Sequence, residues 1–290
     1  MFPSLESLPA PLAQGLAELR ARLARYPAVL VAYSGGVDSA LVAAIAAEQL
    51  GERALAVTGV SPALAPELRE EARLQAAWMG IRQQEIPTRE LDDPAYSSNP
   101  SDRCYACKRE LHTRLAGLLD QLHSELQPEL RGAQVLDGVN RDDLGDHRPG
   151  IRAAREQGVH SPLAELGIDK AGVRQLSRAL GFPWWDKPAQ PCLASRFPYG
   201  ETISAGRLRR VAAAEAWLRQ RGFQELRVRS QGEAARIELP AAQLPALLTE
   251  LGGGEARKTL VQAFRDLGFS AVSLDLEGLV SGKLNRDLPG

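Results

Sequence analysis

The chain has 290 residues, a formal net charge of −1, and 44% hydrophobic against 24% charged residues. That length holds a full core with room for two domains, and the composition excludes a disordered or collagen-like chain. The near-neutral balance argues against a nucleic-acid binder, whose affinity leans on a surplus of Lys and Arg.

An amphipathic helix is expected over residues 12–26. An apolar, β-rich stretch over 28–33 then empties into Ser34-Gly35-Gly36-Val37-Asp38-Ser39, with a helix over 39–50. Two adjacent glycines permit backbone angles closed to other residues, so successive N–H groups can converge on an anion. The following helix adds unpaired N–H groups and the positive end of its dipole, and Ser34 and Ser39 add hydroxyls. A pyrophosphate is the natural occupant. The spacing matches neither Gly-x-x-x-x-Gly-Lys-Ser/Thr nor Gly-x-Gly-x-x-Gly. Asp38 is suited to a loop hydroxyl or a metal-bound water, or is an ordinary carboxylate at a helix start.

Strands are expected over 53–60, 81–88 and 133–139, and helices over 66–79 and 107–126. This alternation predicts an α/β fold with a parallel sheet and helices on both faces. Ligands of such sheets sit at the carboxyl ends of strands, where both the Gly-Gly loop and Asp137-Gly138 fall. After Tyr199-Gly200 come a helix over 204–221, strands over 224–230 and 234–239, helix over 241–267 broken at Gly252-Gly253-Gly254, and a strand over 271–276. That order suggests a small α+β domain, ferredoxin-like in outline. The expected domains are 1–196 and 197–290.

Cys104-Tyr105-Ala106-Cys107 opens a helix, and the third cysteine stands in Pro191-Cys192-Leu193-Ala194-Ser195-Arg196. Three thiols do not close a disulfide framework. They suit three unrelated buried cysteines, a zinc site completed by His112, His123, His147 or His160, or a [4Fe–4S] cluster with one iron left open. Arg227 and Arg229 alternate on a strand and share a face, which suits bidentate recognition of a phosphate or is a solvated strand face. The group Asp142, Asp143, Asp146 and Arg148 either lines a site or braces its loop. Trp184 and Trp185 read as core or interface.

The string SGGVDS resembles the PP-loop of ATP pyrophosphatases, which split ATP between its α and β phosphates. With the C-x-x-C, Pro191–Arg196, the run from Asp137 to Gly150, Ser161-Pro162-Leu163, and Trp185-Asp186-Lys187-Pro188-Ala189, the chain resembles the LarE family. These are ATP-dependent sulfur transferases for a pyridinium biscarboxylate mononucleotide. The resemblance implies ATP and Mg²⁺ at Ser34, Gly35, Gly36, Val37, Asp38 and Ser39, with Lys108 near the nucleotide phosphate. It further implies that Ser195, Arg196, Arg227 and Arg229 take the mononucleotide phosphate, and that Glu215 and Glu238 lie near it.

Members of the family are of two kinds. One sacrifices the sulfur of a single cysteine at the position of Cys192. The other holds a [4Fe–4S] cluster on three cysteines, and Cys104, Cys107 and Cys192 place this chain with it. The implied product is a bisthiocarboxylate, precursor of a nickel-pincer cofactor, and the implied partners are the mononucleotide, a sulfide donor and further copies of the chain in a trimer-based hexamer. A tRNA thiolase is the rival reading; an amidating ligase does not account for the cysteines, nor an iron–sulfur carrier for the loop. No apolar run approaches the ~20 residues of a membrane span, and the opening residues lack the pattern of a signal peptide, so a cytoplasmic protein with no membrane partner is expected.

Overall fold

The computed structural model describes residues 7–123, 127–145, 149–280 and 282–287. In chain order it runs α1 (Ala10–Leu23), β1 (Val29–Ala32), α2 (Val37–Leu50), β2 (Ala54–Val60), α3 (Pro66–Met79), β3 (Arg82–Pro87), α4 (Pro94–Ser97) and α5 (Arg103–His123). There follow β4 (Gln134–Leu136), α6 (Pro149–Glu156), α7 (Pro162–Glu165), α8 (Lys170–Ala179), α9 (Ala205–Arg219), β5 (Arg227–Gln231), β6 (Ala234–Glu238), α10 (Leu244–Gly252), α11 (Gly254–Asp266) and β7 (Ala271–Leu274). The chain forms two compact units. The first comprises 1–61, 66–90 and 104–190, and the second 62–65, 91–103 and 191–290.

The first unit is the expected α/β fold. Its sheet has the order β3-β2-β1-β4, and every neighbouring pair is parallel. β1 is the hinge of the packing, because its side chains alternate between two cores. Val29 and Val31 join Leu19, Leu41, Ile45, Val173 and Leu176 on one face, whereas Leu30 and Ala32 join Leu115, Leu118 and Leu130 on the other. A strand buried on both faces must be apolar at every position, which is why Val29–Ala32 reads as a continuous run. Residues 40–46 of α2 are fully buried, so that helix is walled in on all sides. Helix α5 begins at Arg103, four residues before its expected start, and residues 124–126 lie outside the described residues.

In the second unit β5 and β6 form an antiparallel hairpin and β7 adds parallel to β6, giving the order β5-β6-β7. Three strands are present among the described residues, so the smaller unit is α+β without the four-stranded ferredoxin-like sheet. Helix α9 buries Leu208, Val211, Ala214 and Leu218, one stripe at helical spacing. Ser204 caps its start, accepting from the N–H of Arg207. Edge-on packing of Trp217 against Phe264 ties α9 to α11. Among the described residues no helix is long and apolar enough to cross a membrane.

Candidate functional site

Two strand ends build the site of the first unit. Beyond β1, Tyr33 still pairs with the sheet, its N–H donating to Val57 at 2.9 Å. Burial pushes the Tyr33 hydroxyl up, and it donates to Gln75 Oε1 at 2.7 Å. The chain then turns through Gly35 at φ +74°, a left-handed angle that a side chain resists. Ala72 Cβ would lie 3.2 Å from any Cβ added there. Gly36 opens α2 with no side-chain cap, leaving the first N–H groups of the helix at the loop. Ser34 and Ser39 close the turn on itself: the Ser34 N–H donates to Ser39 Oγ at 3.2 Å, the two hydroxyls lie 3.1 Å apart, and Ser39 Oγ donates to Gly36 O at 3.1 Å. Val37 and Ser39 are buried.

Asp38 is held from two later segments. Lys170 Nζ, at the start of α8, donates to Oδ2 at 2.5 Å, and Asn140 Nδ2 donates to Oδ1 at 3.2 Å. Residues beyond β4 also touch the loop's backbone. A Cβ on Gly138 would lie 2.5 Å from the Ser39 nitrogen and 2.7 Å from its Cα. Only a glycine lets the two strand ends meet so closely. Asp137 beside it is buried, which raises its carboxyl. Hydrogen bonds from Ser161 and Val139 and the charge of Lys108 oppose that rise.

Asp142 and Asp143 brace this region. Asp143 accepts from Asn140 N–H at 3.0 Å, and Asp142 accepts from the N–H of Lys170 at 3.0 Å. Asp146, His147 and Arg148 lie outside the described residues. Sequence reasoning placed Asp137-Gly138 at the strand end beside the loop but did not single out Lys170 or Asn140 as partners of Asp38. Lys170 stands 132 residues from its partner, so no local pattern could announce it.

Cys104 and Cys107 stand one turn apart at the start of α5, the first exposed and the second half-buried. Lys108 follows them, its Cγ 2.7 Å from where a Cβ on Gly150 would stand. One turn on, His112 is buried with no hydrogen-bond partner at Nδ1. Burial and the charge of Lys108 pull it down to about 4. Cys192 belongs to the second unit, exposed at the start of a short 3-10 turn, Leu193–Arg196. Thiolates are the right donors for an iron–sulfur cluster. Yet among the described residues no three His, Cys, Asp or Glu side chains gather as a metal site.

The arginines of the second unit divide into two kinds. Arg196 forks onto buried Glu215, with Nε to Oε1 at 2.8 Å and Nη2 to Oε2 at 3.1 Å. Its Nη1 donates to the carbonyls of Pro191 and Cys192 and to Ser195 Oγ, so it fixes the backbone around Cys192. Burial raises Glu215, but Arg196, the N–H of Val228 and Arg219 outweigh it and hold the carboxyl below its ordinary value. Arg229 likewise pairs with buried Glu238 at 2.9 Å and donates to Ser195 O at 2.6 Å. Glu215 and Glu238 are therefore braces for the arginines. Arg227 differs. It is half-buried, with no ion pair or hydrogen bond from its guanidinium among the described residues. Burial and the neighbouring charges of Arg229 and Arg196 pull its pKa down. A cation held beside two others invites an anion.

No family model matches the chain. It is 52% identical over 273 residues to the uncharacterized protein slr1717 of Synechocystis sp., covering 94% of this chain and 97% of that one. It is 26% identical over 249 residues to the uncharacterized protein MJ0830 of Methanocaldococcus jannaschii, covering 86% and 89% of the two. It is also 35% identical over 280 residues to the pyridinium-3,5-bisthiocarboxylic acid mononucleotide synthase of Lactiplantibacillus plantarum, covering 96% of each chain. With that identity along nearly the whole of both chains, this protein belongs to the family of the pyridinium-3,5-bisthiocarboxylic acid mononucleotide synthase.

Proposed function

We propose that the protein is an ATP-dependent sulfur transferase that converts the carboxylates of a pyridinium-3,5-biscarboxylic acid mononucleotide into thiocarboxylates. The observation that carries this reading is the Ser34–Ser39 turn at the carboxyl end of β1, with Gly35 left-handed and an uncapped helix start behind it. The name of the Lactiplantibacillus plantarum relative supports the substrate.

A carboxylate is a poor electrophile because oxide does not leave. In the first step one carboxylate oxygen attacks the α-phosphorus of ATP. The bond between α and β phosphates breaks, and pyrophosphate departs with the electron pair. The first N–H groups of α2 and the hydroxyls of Ser34 and Ser39 face charge that develops on that leaving group. Mg²⁺, when bound, neutralises charge across phosphate oxygens, and Asp38 is the loop carboxylate that would hold it or its waters. Lys170 and Asn140 fix that carboxylate.

In the second step a sulfur nucleophile attacks the acyl carbon and AMP departs. Two rounds convert both carboxylates. The thiols available are Cys104, Cys107 and Cys192. As a set of three they have the donor chemistry of a [4Fe–4S] cluster, whereas Cys192 alone would be consumed as the sulfur source. Arg227 binds the mononucleotide phosphate, and Arg196 and Arg229 are held in place beside it by Glu215 and Glu238.

The test is an oxygen-free preparation supplied with ATP, Mg²⁺, sulfide and the mononucleotide. AMP and pyrophosphate are expected in equal amounts with a thioacid product, and Asp38→Ala is expected to lose AMP formation. AMP formation that needs tRNA, or that ignores the mononucleotide, overturns the assignment. Iron and labile sulfide per chain, with the intact mass after turnover, separates a cluster from a spent Cys192.

A further inference from the structure

Arg103 is 5% exposed, and neither its Nε nor its Nη1 has a hydrogen-bond partner. No carboxylate pairs with it among the described residues. Its guanidinium instead stacks on Tyr199, 5.0 Å from the ring centroid. A buried cation without acceptors is costly, and buried arginines in this chain otherwise find carboxylates, as Arg196 and Arg229 do.

The segment that carries Arg103 is tightly set within the second unit. Asn99 is fully buried at φ +58°, the one non-glycine residue with a left-handed angle among the described residues. Its Nδ2 donates to Pro198 O at 2.6 Å and Phe197 O at 3.4 Å, and its carbonyl accepts from the N–H of Gly200 at 2.8 Å. Its Oδ1 is buried with no partner. Arg103 and Asn99 are thus both tied to one turn, 197–200, and each keeps buried polar atoms without a partner. Arg103 also opens α5, a helix with no acidic residue in its first turn.

We propose that Arg103 is a binding residue for an oxyanion, a carboxylate or a phosphate, with the Tyr199 ring setting the plane of its guanidinium. The bound anion accepts from the orphaned N–H groups of Arg103. The assignment is independent of the reaction proposed above, because it concerns binding alone.

Calorimetric titration of the full chain with pyridine-3,5-dicarboxylate, and separately with pyrophosphate, identifies which source of oxyanion the residue takes. Arg103→Met is expected to weaken one of the two by about tenfold or more while the thermal midpoint holds or rises, since no partner is stranded by removing the charge. Arg103→Lys keeps the charge without the planar fork and is expected to weaken the same probe at an unchanged midpoint. Unchanged affinity for both probes in Arg103→Lys, or a wild-type chain that binds neither, overturns the proposal. So does a fall in midpoint in both variants without a change in affinity, which would make Arg103 a structural residue.

Discussion

Three guanidiniums of the second unit act on one another through their charges and differ in what they are for. Arg196 and Arg229 have spent their donors on buried carboxylates and backbone carbonyls, whereas Arg227 has not. Arg229→Ala should strand part of the buried Glu238 and lower stability by about 3–5 kcal/mol in urea unfolding. Arg227→Ala should leave that stability within about 0.5 kcal/mol or raise it. The same change should raise KM for the mononucleotide about tenfold or more, with KM for ATP unchanged. Sequence alone puts Arg227 and Arg229 on one face of a strand. It does not separate them, because the distinction lies in Glu238, which bonds one and not the other. His112 gives a pH signature. Its folded-state value is depressed to about 4 from 6.5, so the unfolded chain binds the extra proton first. Stability from this residue is fully present above about pH 6.5 and is lost as pH falls toward 4. The urea midpoint should decline across that window, and His112→Phe should flatten the decline.

The loop after β1 and the loop after β4 behave as one element. Asp38 is held by Asn140 and Lys170, and Gly138 lets the backbones touch at Ser39. A methyl group at Gly138 meets main-chain atoms, which cannot swing aside. Gly138→Ala should therefore cost about 1–3 kcal/mol of stability. It should also depress AMP formation more than a surface change of equal stability cost, checked by urea midpoint against AMP release. The parallel sheet and the position of SGGVDS at a strand end were legible from apolar runs punctuated by glycine. The helices α6, α7 and α8 were not. At eight, four and ten residues they are too short for their pattern to stand out, although Val173 and Leu176 of α8 face the core at helical spacing. The early start of α5 was hidden for a similar reason. Residues 103–106 are a single turn with no apolar stripe, so the turn that carries Cys104 is invisible to periodicity.

The chain passes back and forth between its two units, with 62–65 and 91–103 belonging with 191–290. Those short stretches bind the second unit through main-chain atoms: Leu193 N–H to Ala63 O at 2.9 Å, and Ile203 N–H to Ser97 O at 2.7 Å. A fragment of residues 191–290 loses these partners together with Asn99. It should melt without a cooperative transition by circular dichroism, whereas the full chain keeps one. The first unit has a different kind of centre. Its strand β1 is sealed by side chains on both faces and by neighbouring strands on both edges. Amide protons of Val29–Ala32 should consequently be among the slowest in the molecule to exchange with deuterium. The Ser34–Ser39 turn is fastened to this protected strand, so it should hold its shape through local openings that release less deeply buried segments.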